Sequence, residues 1–330
     1  MNYVDYCLKL YKSLIDSDSE NHSLSADEKP LSLIDLISKK TSSKQLREQY
    51  NSEVRSIIES RLSLLKIENE YKEELKKLPN YFDSVGGFTM SLIFWIEYNN
   101  VKITRSELYK ISEAMLIGSM GYRLIDFHYD EGLLGKESAI IGNYFIHNYE
   151  EILLDIFSDQ EETFRILSRN VRLYSEVEFL EKRNRWKTCP FSWDEPEKIG
   201  YKSSPMYSVF ELLLRKAEKS EKEIELLFNG VLYFSTVMQM LDDFSDIEDD
   251  LMNGFETLIM SGFYEKFGID IKISQELIQS FLNEERITKF YNTTQSLFDK
   301  ARKIFTENED DIMLLSVEIQ NYNFNSRLVK

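Results

Sequence analysis

Glycine and proline are scarce in this chain, at 12 and 5 of 330 residues, under half of the roughly 12% they hold together in average usage. Turns that need φ > 0 or a fixed φ draw on these two residues. A turn-rich fold, a glycine-rich phosphate loop and collagen-like or proline-rich disorder are therefore disfavoured. Cysteine is limited to Cys7 and Cys189, far apart and with no CxxC or histidine pattern around them, so neither a disulfide framework nor a zinc site is indicated. Positive charge is short as well: 40 basic against 57 acidic residues give a net charge of −17. Such a chain repels the phosphate backbone on which nucleic-acid affinity depends, and nucleic acid is set aside as a partner. No run of about 20 apolar residues occurs, and Asp5, Lys9 and Lys12 interrupt the N-terminal segment. No transmembrane segment is expected, and the sequence reads as soluble and cytoplasmic.

What is present is material for long helices around a large core, with 42% hydrophobic and 13% aromatic residues. Val4, Leu8, Tyr11 and Ile15 predict a helix over 2–16, and the polar stretch 17–30 reads as a mobile loop. A short helix after Pro30 and a longer, charged one ending near Pro79 follow. FDSVGGFTMSLIFWIEYNN is apolar nearly all round, as in a helix buried inside a bundle, with Gly86 and Gly87 marking its start. Thr104 and Glu107 have capping-box spacing and open a helical stretch ending near Gly132. Further helices are expected over 137–158, 160–185, 205–219, 220–251, 254–267, 273–305 and 308–322, with WKTCPFSWDEPEKIG as the principal loop. Strand alternation, fixed-period repeats and flexible linkers are not evident, so residues 1–330 are expected to form one all-α domain.

The window that carries chemistry is TVMQMLDDFSDIEDDLMNG. Four residues turn a helix by about 400°, so Asp242 and Asp246 fall on nearly one face with Asp243 beside them, at the edge of the apolar positions Val237, Met238, Leu241 and Ile247. Oxygens so placed can share hard cations such as Mg²⁺. Like charges at i and i+4 destabilise a helix, and a broken local rule of this kind points to function. Asp249 and Asp250 continue the acidity and read as surface. In GYRLIDFHYDEG, Asp126 and Asp130 repeat the i, i+4 spacing among Leu124, Ile125, Phe127 and Tyr129, while His128 falls on another face. Two such pairs suggest two facing helices that hold several Mg²⁺ ions and, through them, a diphosphate.

Gln239 followed by Asp242, Asp243 and Asp246 resembles the QxxDDxxD second aspartate-rich motif of the trans-prenyl diphosphate synthases, with Asn253-Gly254 similar to its tail. Those enzymes belong with terpene synthases to the all-α class I isoprenoid synthases. Asp126 and Asp130 resemble the outer members of the family's first aspartate-rich motif, although Phe127 stands where its second Asp usually lies. Lys202-Ser203 resembles the Lys-Thr/Ser diphosphate-binding pair, and Lys136 sits where a basic pair is common, with Gly135 in place of the other member. The likeness spans roughly 80–260 and implies a single helical bundle with a central active-site cavity. By it, Asp126, Asp130, Asp242 and Asp246 would be the Mg²⁺ ligands (Mn²⁺ being a substitute), with Asp243 catalytic beside them. Lys202, Lys136, Arg123 and Gln239 would serve the diphosphate, and a homodimer is possible.

Chain-elongating members carry a basic GGKxxRP-like motif for isopentenyl diphosphate, whereas the corresponding stretch here, SVGGFTMSL, has no Lys or Arg. A second anionic substrate would lack its charge-paired anchor. The expectation is therefore a one-substrate terpene synthase that ionises an allylic diphosphate and cyclises the cation. Chain elongation, or an inactive helical partner subunit, is the alternative. Phe88, Phe94, Trp95, Tyr122, Phe127, Tyr233 and Phe234 would line the pocket, excluding water and stabilising the cation. Tyr122, four residues before Asp126, is bulky and by resemblance favours substrates of fifteen or twenty carbons. Glu176, Glu178 and Glu181 near Arg183 and Arg185 read as a salt-bridged face without a catalytic role, and Arg327 as part of a frayed tail.

Overall fold

A computed structural model describes residues 5, 44–67, 72–73, 87–126 and 137–328. Apart from Asp5, the expectations for 2–16 lie outside the described residues, as do those for the loop 17–30, Gly86, Cys7 and Pro79. Those residues form twelve α-helices and two 3-10 helices, with no strand among them. In chain order the helices are α1 (Lys44–Ser63), α2 (Gly87–Tyr98), α3 (Arg105–Asp126), α4 (Ser138–Ile156), α5 (Gln160–Arg183), α6 (Ser204–Lys216), α7 (Glu221–Ser245), α8 (Ile247–Met252), α9 (Phe263–Phe267), α10 (Gln275–Phe281), α11 (Glu284–Glu307) and α12 (Asp311–Leu328). The 3-10 helices span Pro196–Ser203 and Leu258–Met260.

Four expected boundaries are corrected. The charged helix stops at Ser63, where the Ser63 hydroxyl donates to the Ser60 carbonyl at 2.6 Å and Leu64 and Leu65 turn away. The helix over 220–251 breaks at Asp246. Residues 254–267 are helical only in two short pieces, because Gly254 and Gly262 adopt φ +88° and +84°. The stretch 273–305 divides at Asn283, whose side chain caps α11 by accepting the Arg286 amide at 2.9 Å.

The chain divides into two compact units. The first comprises 1–163, 212–218 and 311–330. Its core includes α2, whose residues from Leu92 to Ile96 are all buried and which packs on α12 and α3. The α3 helix opens on the expected capping box, with Thr104 N donating to Glu107 Oε2 at 2.7 Å and Glu107 N to Thr104 Oγ1 at 3.2 Å. It pairs along its length with α4 through two glycines: a Cβ on Gly121 would stand 2.8 Å from the Gly142 carbonyl, and one on Gly142 2.7 Å from that of Gly121. Arg61 on α1 joins Glu113 at 2.6 Å and Asn148 at 3.1 Å, and Lys216 joins Glu107 at 3.0 Å.

The second unit comprises 164–211 and 219–310. Its centre is α7, packed on α11 and on the 3-10 helix 196–203. By length and composition α7 is apolar enough to cross a membrane, alone among the described helices. Here it buries Ile224, Leu227, Val231, Leu232, Val237 and Met240 within the unit, as the central helix of a folded core does. Ser220 and Glu223 form its N-terminal capping box.

Candidate active site

The acidic window sits on a joint. The α7 helix ends at Ser245, and Asp246, at φ −108° and ψ 16°, is at once its C-cap and the residue before α8. Ser245 Oγ bonds back to the Leu241 carbonyl at 2.9 Å, a contact that bends helices. Carboxylates crowded at a helix C-terminus also oppose its dipole. The backbone ladder nonetheless continues, Asp246 N reaching Asp242 O at 3.0 Å and Asp250 N reaching Asp246 O at 2.9 Å. The result separates the aspartates: Asp243 and Asp250 are partly buried, while Asp242, Asp246 and Asp249 are exposed.

Lys202 is brought to this joint by the 3-10 helix. At Gly200 that helix lies so close to α7 that a Cβ would stand 2.4 Å from Thr236 Oγ1 and 2.9 Å from the Leu232 carbonyl. Gln239 Nε2 donates to Ser203 Oγ at 3.4 Å, tying the two sequence motifs together. The Lys202 ammonium donates to Glu181 Oε1 on α5, and both side chains are only 16–17% exposed. Lys182 lies 3.5 Å from the other Glu181 oxygen and 3.4 Å from Glu178.

Charge and burial act against each other here. Burial alone would pull the Lys202 ammonium down, but Glu181, then Asp243 and Glu178, hold it well above the ordinary lysine value. Burial likewise opposes ionisation of Glu181, yet Lys202 and Lys182 draw its carboxyl below the usual range. Asp243 is pushed up to about 7 by burial, with Lys202 opposing and Glu181, Asp242 and Asp246 adding repulsion. Asp250 rises to about 8 through burial and then repulsion from Asp243. Negative charge exceeds positive in this cluster, and its acidic donors are all carboxylate oxygens. That donor set fits a hard divalent cation, which would relieve the repulsion. Among the described residues, however, no three His, Cys, Asp or Glu side chains converge as a ready-made metal-ligating group.

A clasp fixes the far end of α8. Arg185 Nε donates to the Asn253 carbonyl and Trp186 N to the Gly254 carbonyl, both at 2.6 Å. Gly254 must be glycine at φ +88°, and a Cβ there would lie 2.5 Å from the Trp186 ring. Buried Glu256 accepts the backbone N–H groups of Cys189, Gly262 and Tyr264 at 3.0, 2.8 and 2.6 Å. Lys182 and Arg185 sit over the Phe255 ring at 4.9 and 5.1 Å. Cys189 is a free thiol pushed up to about 12 by burial, chemically inert at neutral pH.

The remaining expected residues are distributed as follows. Asp126 ends α3 in the first unit, with Arg123 exposed and Tyr122 buried on the same helix. Burial, and then Glu150, push the Tyr122 phenol up. Phe94 and Trp95 lie in the core of that unit. Tyr233 and Phe234 are half-buried on α7, with Lys300 Nζ 5.1 Å from the Tyr233 ring. Phe127, Asp130 and Lys136 lie outside the described residues, as do the side chains of Phe88 and Arg327.

Sequence reasoning missed Glu181, read as part of a salt-bridged face without a catalytic role, and Asp250, read as surface. The signal for Asp250 was its spacing of seven from Asp243, two helical turns. For Glu181 there was none, since a loop separates it from Lys202.

No family model and no curated protein matches the chain. Solved structures do. A decaprenyl diphosphate synthase from Rhodobacter capsulatus matches with a TM-score of 0.62 at 15% identity, over 81% of this chain and 95% of that one. A geranylgeranyl pyrophosphate synthase from Lactobacillus brevis gives 0.62 at 12% identity over 81% and 95%. A geranylgeranyl pyrophosphate synthetase from the archaeon Geoglobus acetivorans gives 0.57 at 17% over 83% and 99%. At such identities the likeness is one of architecture: the chain has the all-α isoprenoid synthase fold, shared with the prenyl diphosphate synthases.

Proposed function

We propose that this protein is a Mg²⁺-dependent enzyme that ionises an allylic prenyl diphosphate and joins the cation to isopentenyl diphosphate, as a prenyl diphosphate synthase. The observation that carries the reading is the buried Lys202 ammonium set among carboxylates at the α7–α8 joint, on the fold that decaprenyl and geranylgeranyl diphosphate synthases share. Asp242, Asp243 and Asp246 would hold the metal, with Asp250 adding charge behind them. Mg²⁺ bound there would neutralise the departing diphosphate. Lys202 donates to the leaving oxygens, and Gln239 orients the Lys202-Ser203 segment through Ser203. Tyr233 and Phe234 offer ring faces to the allylic cation and keep water from it. In this reading residues 1–330 act as one catalytic domain.

Elongation displaces the one-substrate reading preferred from sequence, because the structural relatives named above are chain-elongating synthases. Cyclisation is kept as a second reading on one observation, the absence of Lys or Arg in SVGGFTMSL. The test is incubation of purified protein with geranyl, farnesyl or geranylgeranyl diphosphate, with and without isopentenyl diphosphate and Mg²⁺. A longer diphosphate formed only with isopentenyl diphosphate supports elongation. A hydrocarbon or alcohol formed without it overturns elongation in favour of cyclisation, and no turnover overturns both.

A further inference from the structure

The Lys202 ammonium, the cationic group best placed for a diphosphate in the second unit, is already occupied by a carboxylate of the chain itself. Glu181 accepts a hydrogen bond from the Lys202 ammonium on one oxygen and lies 3.5 Å from Lys182 on the other, in a mostly buried setting. Nothing in the α5 sequence requires an acid at this point for helix formation. An apolar residue would suit the buried position better, since an ionised carboxylate out of water is tolerated only when paired. The two lysines supply that pairing. They also leave the Lys202 ammonium with its charge already met inside the chain, by Glu181.

Resting on the reading above, we propose that Glu181 is an internal counter-ion that occupies the anion-binding face of Lys202 and makes diphosphate binding conditional on a divalent cation. An incoming diphosphate has to compete with Glu181 for the ammonium, and like charges brought together in a partly buried site are strongly disfavoured. With the charge of the aspartates offset by a bound cation, the anion would enter beside Glu181. Glu181 is thus a positioning and gating residue rather than a catalytic one: it acts through Lys202. The device would keep free diphosphate and phosphate from filling the site unless metal is present.

The test is a gain of function, which misfolding cannot imitate. Binding of inorganic diphosphate to the full chain is measured by titration calorimetry at pH 8 in EDTA for wild type, Glu181→Gln and the double variant Glu181→Gln with Lys202→Met. Glutamine keeps the shape and an acceptor for Lys202 while removing the charge. The expected result is no saturable binding by wild type in EDTA, and binding tighter by roughly tenfold or more in Glu181→Gln. The gain should disappear in the double variant. No gain in Glu181→Gln, or a gain that survives loss of Lys202, overturns the proposal. So does wild-type binding as tight in EDTA as in Mg²⁺, a measurement independent of any variant's folding. Prenyl diphosphate turnover is scored separately. The gain without turnover overturns the enzymatic reading and leaves the gate, whereas turnover without the gain overturns the gate alone.

Discussion

Replacing Asp250 by Asn should stabilise the metal-free protein at alkaline pH. The carboxyl of Asp250 is raised from 3.8 to about 8, first by burial and then by Asp243. A folded value above the unfolded one means that the folded state keeps a proton the unfolded state has already released. Stability tied to this group is therefore whole below about pH 4, falls as pH rises, and is lost by about pH 8. At about 1.36 kcal/mol for each pH unit between the two values, the full penalty at pH 8 would be about 5 kcal/mol. Water that reaches the partly exposed side chain reduces the effect, and a gain of about 2 kcal/mol is expected for Asp250→Asn, a rise in Tm of about 3 °C. Thermal unfolding followed by circular dichroism in EDTA from pH 4 to 8.5 measures it. The two curves should meet near pH 4 and separate progressively above it. Mg²⁺ should raise the Tm of wild type more than that of the variant. A variant less stable than wild type at pH 8, or a difference that does not vary with pH, would rule out a raised Asp250 carboxyl as the source.

Three further outcomes follow from the packing. Gly254→Ala forces a side chain into φ +88° with its Cβ 2.5 Å from the Trp186 ring, and should cost about 2–3 kcal/mol in urea unfolding; an unchanged midpoint would contradict the clasp. Gly121→Val drives a side chain against the Gly142 carbonyl, and should cost about 3 kcal/mol or prevent folding, whereas tolerance would mean that α3 and α4 do not cross this closely. Glu107 is lowered to about 2 by the Thr104 backbone N–H, then its hydroxyl, then Lys216. Its contribution is therefore complete above about pH 4.5 and vanishes as pH falls toward 2, so Glu107→Gln should cost about 1 kcal/mol at pH 7 and nothing at pH 2; equal losses at both pH values would refute the capping box as its source.

The helices were legible where local chemistry decides them. Thr104 and Glu107 announced the start of α3 four residues ahead of its first buried side chain, and the all-round apolarity of residues from Leu92 to Ile96 correctly gave a buried helix. The joint at Asp246 was hidden because the helical period runs on through it: the turn before the break and the turn after it both keep their backbone bonds. Gln239, Ser203 and Lys202 were found by motif spacing and do lie together. The counter-ion of Lys202 was not legible, since Glu181 sits among charged neighbours on α5 and only the return of the chain through the 3-10 helix brings it to the lysine. Asp250 was concealed by the acidic run around it. Exposure divides that run between Asp249, which is exposed, and Asp250, which is partly buried, and exposure is a tertiary property.

The proposed function rests on the aspartates of the α7–α8 joint serving a prenyl diphosphate. Its most direct test is turnover of geranyl or farnesyl diphosphate with Mg²⁺ and isopentenyl diphosphate by wild type and by the double variant Asp242→Asn with Asp246→Asn. Both side chains are exposed, so the variant should keep the wild-type helix content and melting behaviour. Wild type should turn substrate over in a Mg²⁺-dependent way, and the variant should lose roughly a hundredfold or more. A folded variant that turns over substrate at close to the wild-type rate would contradict it.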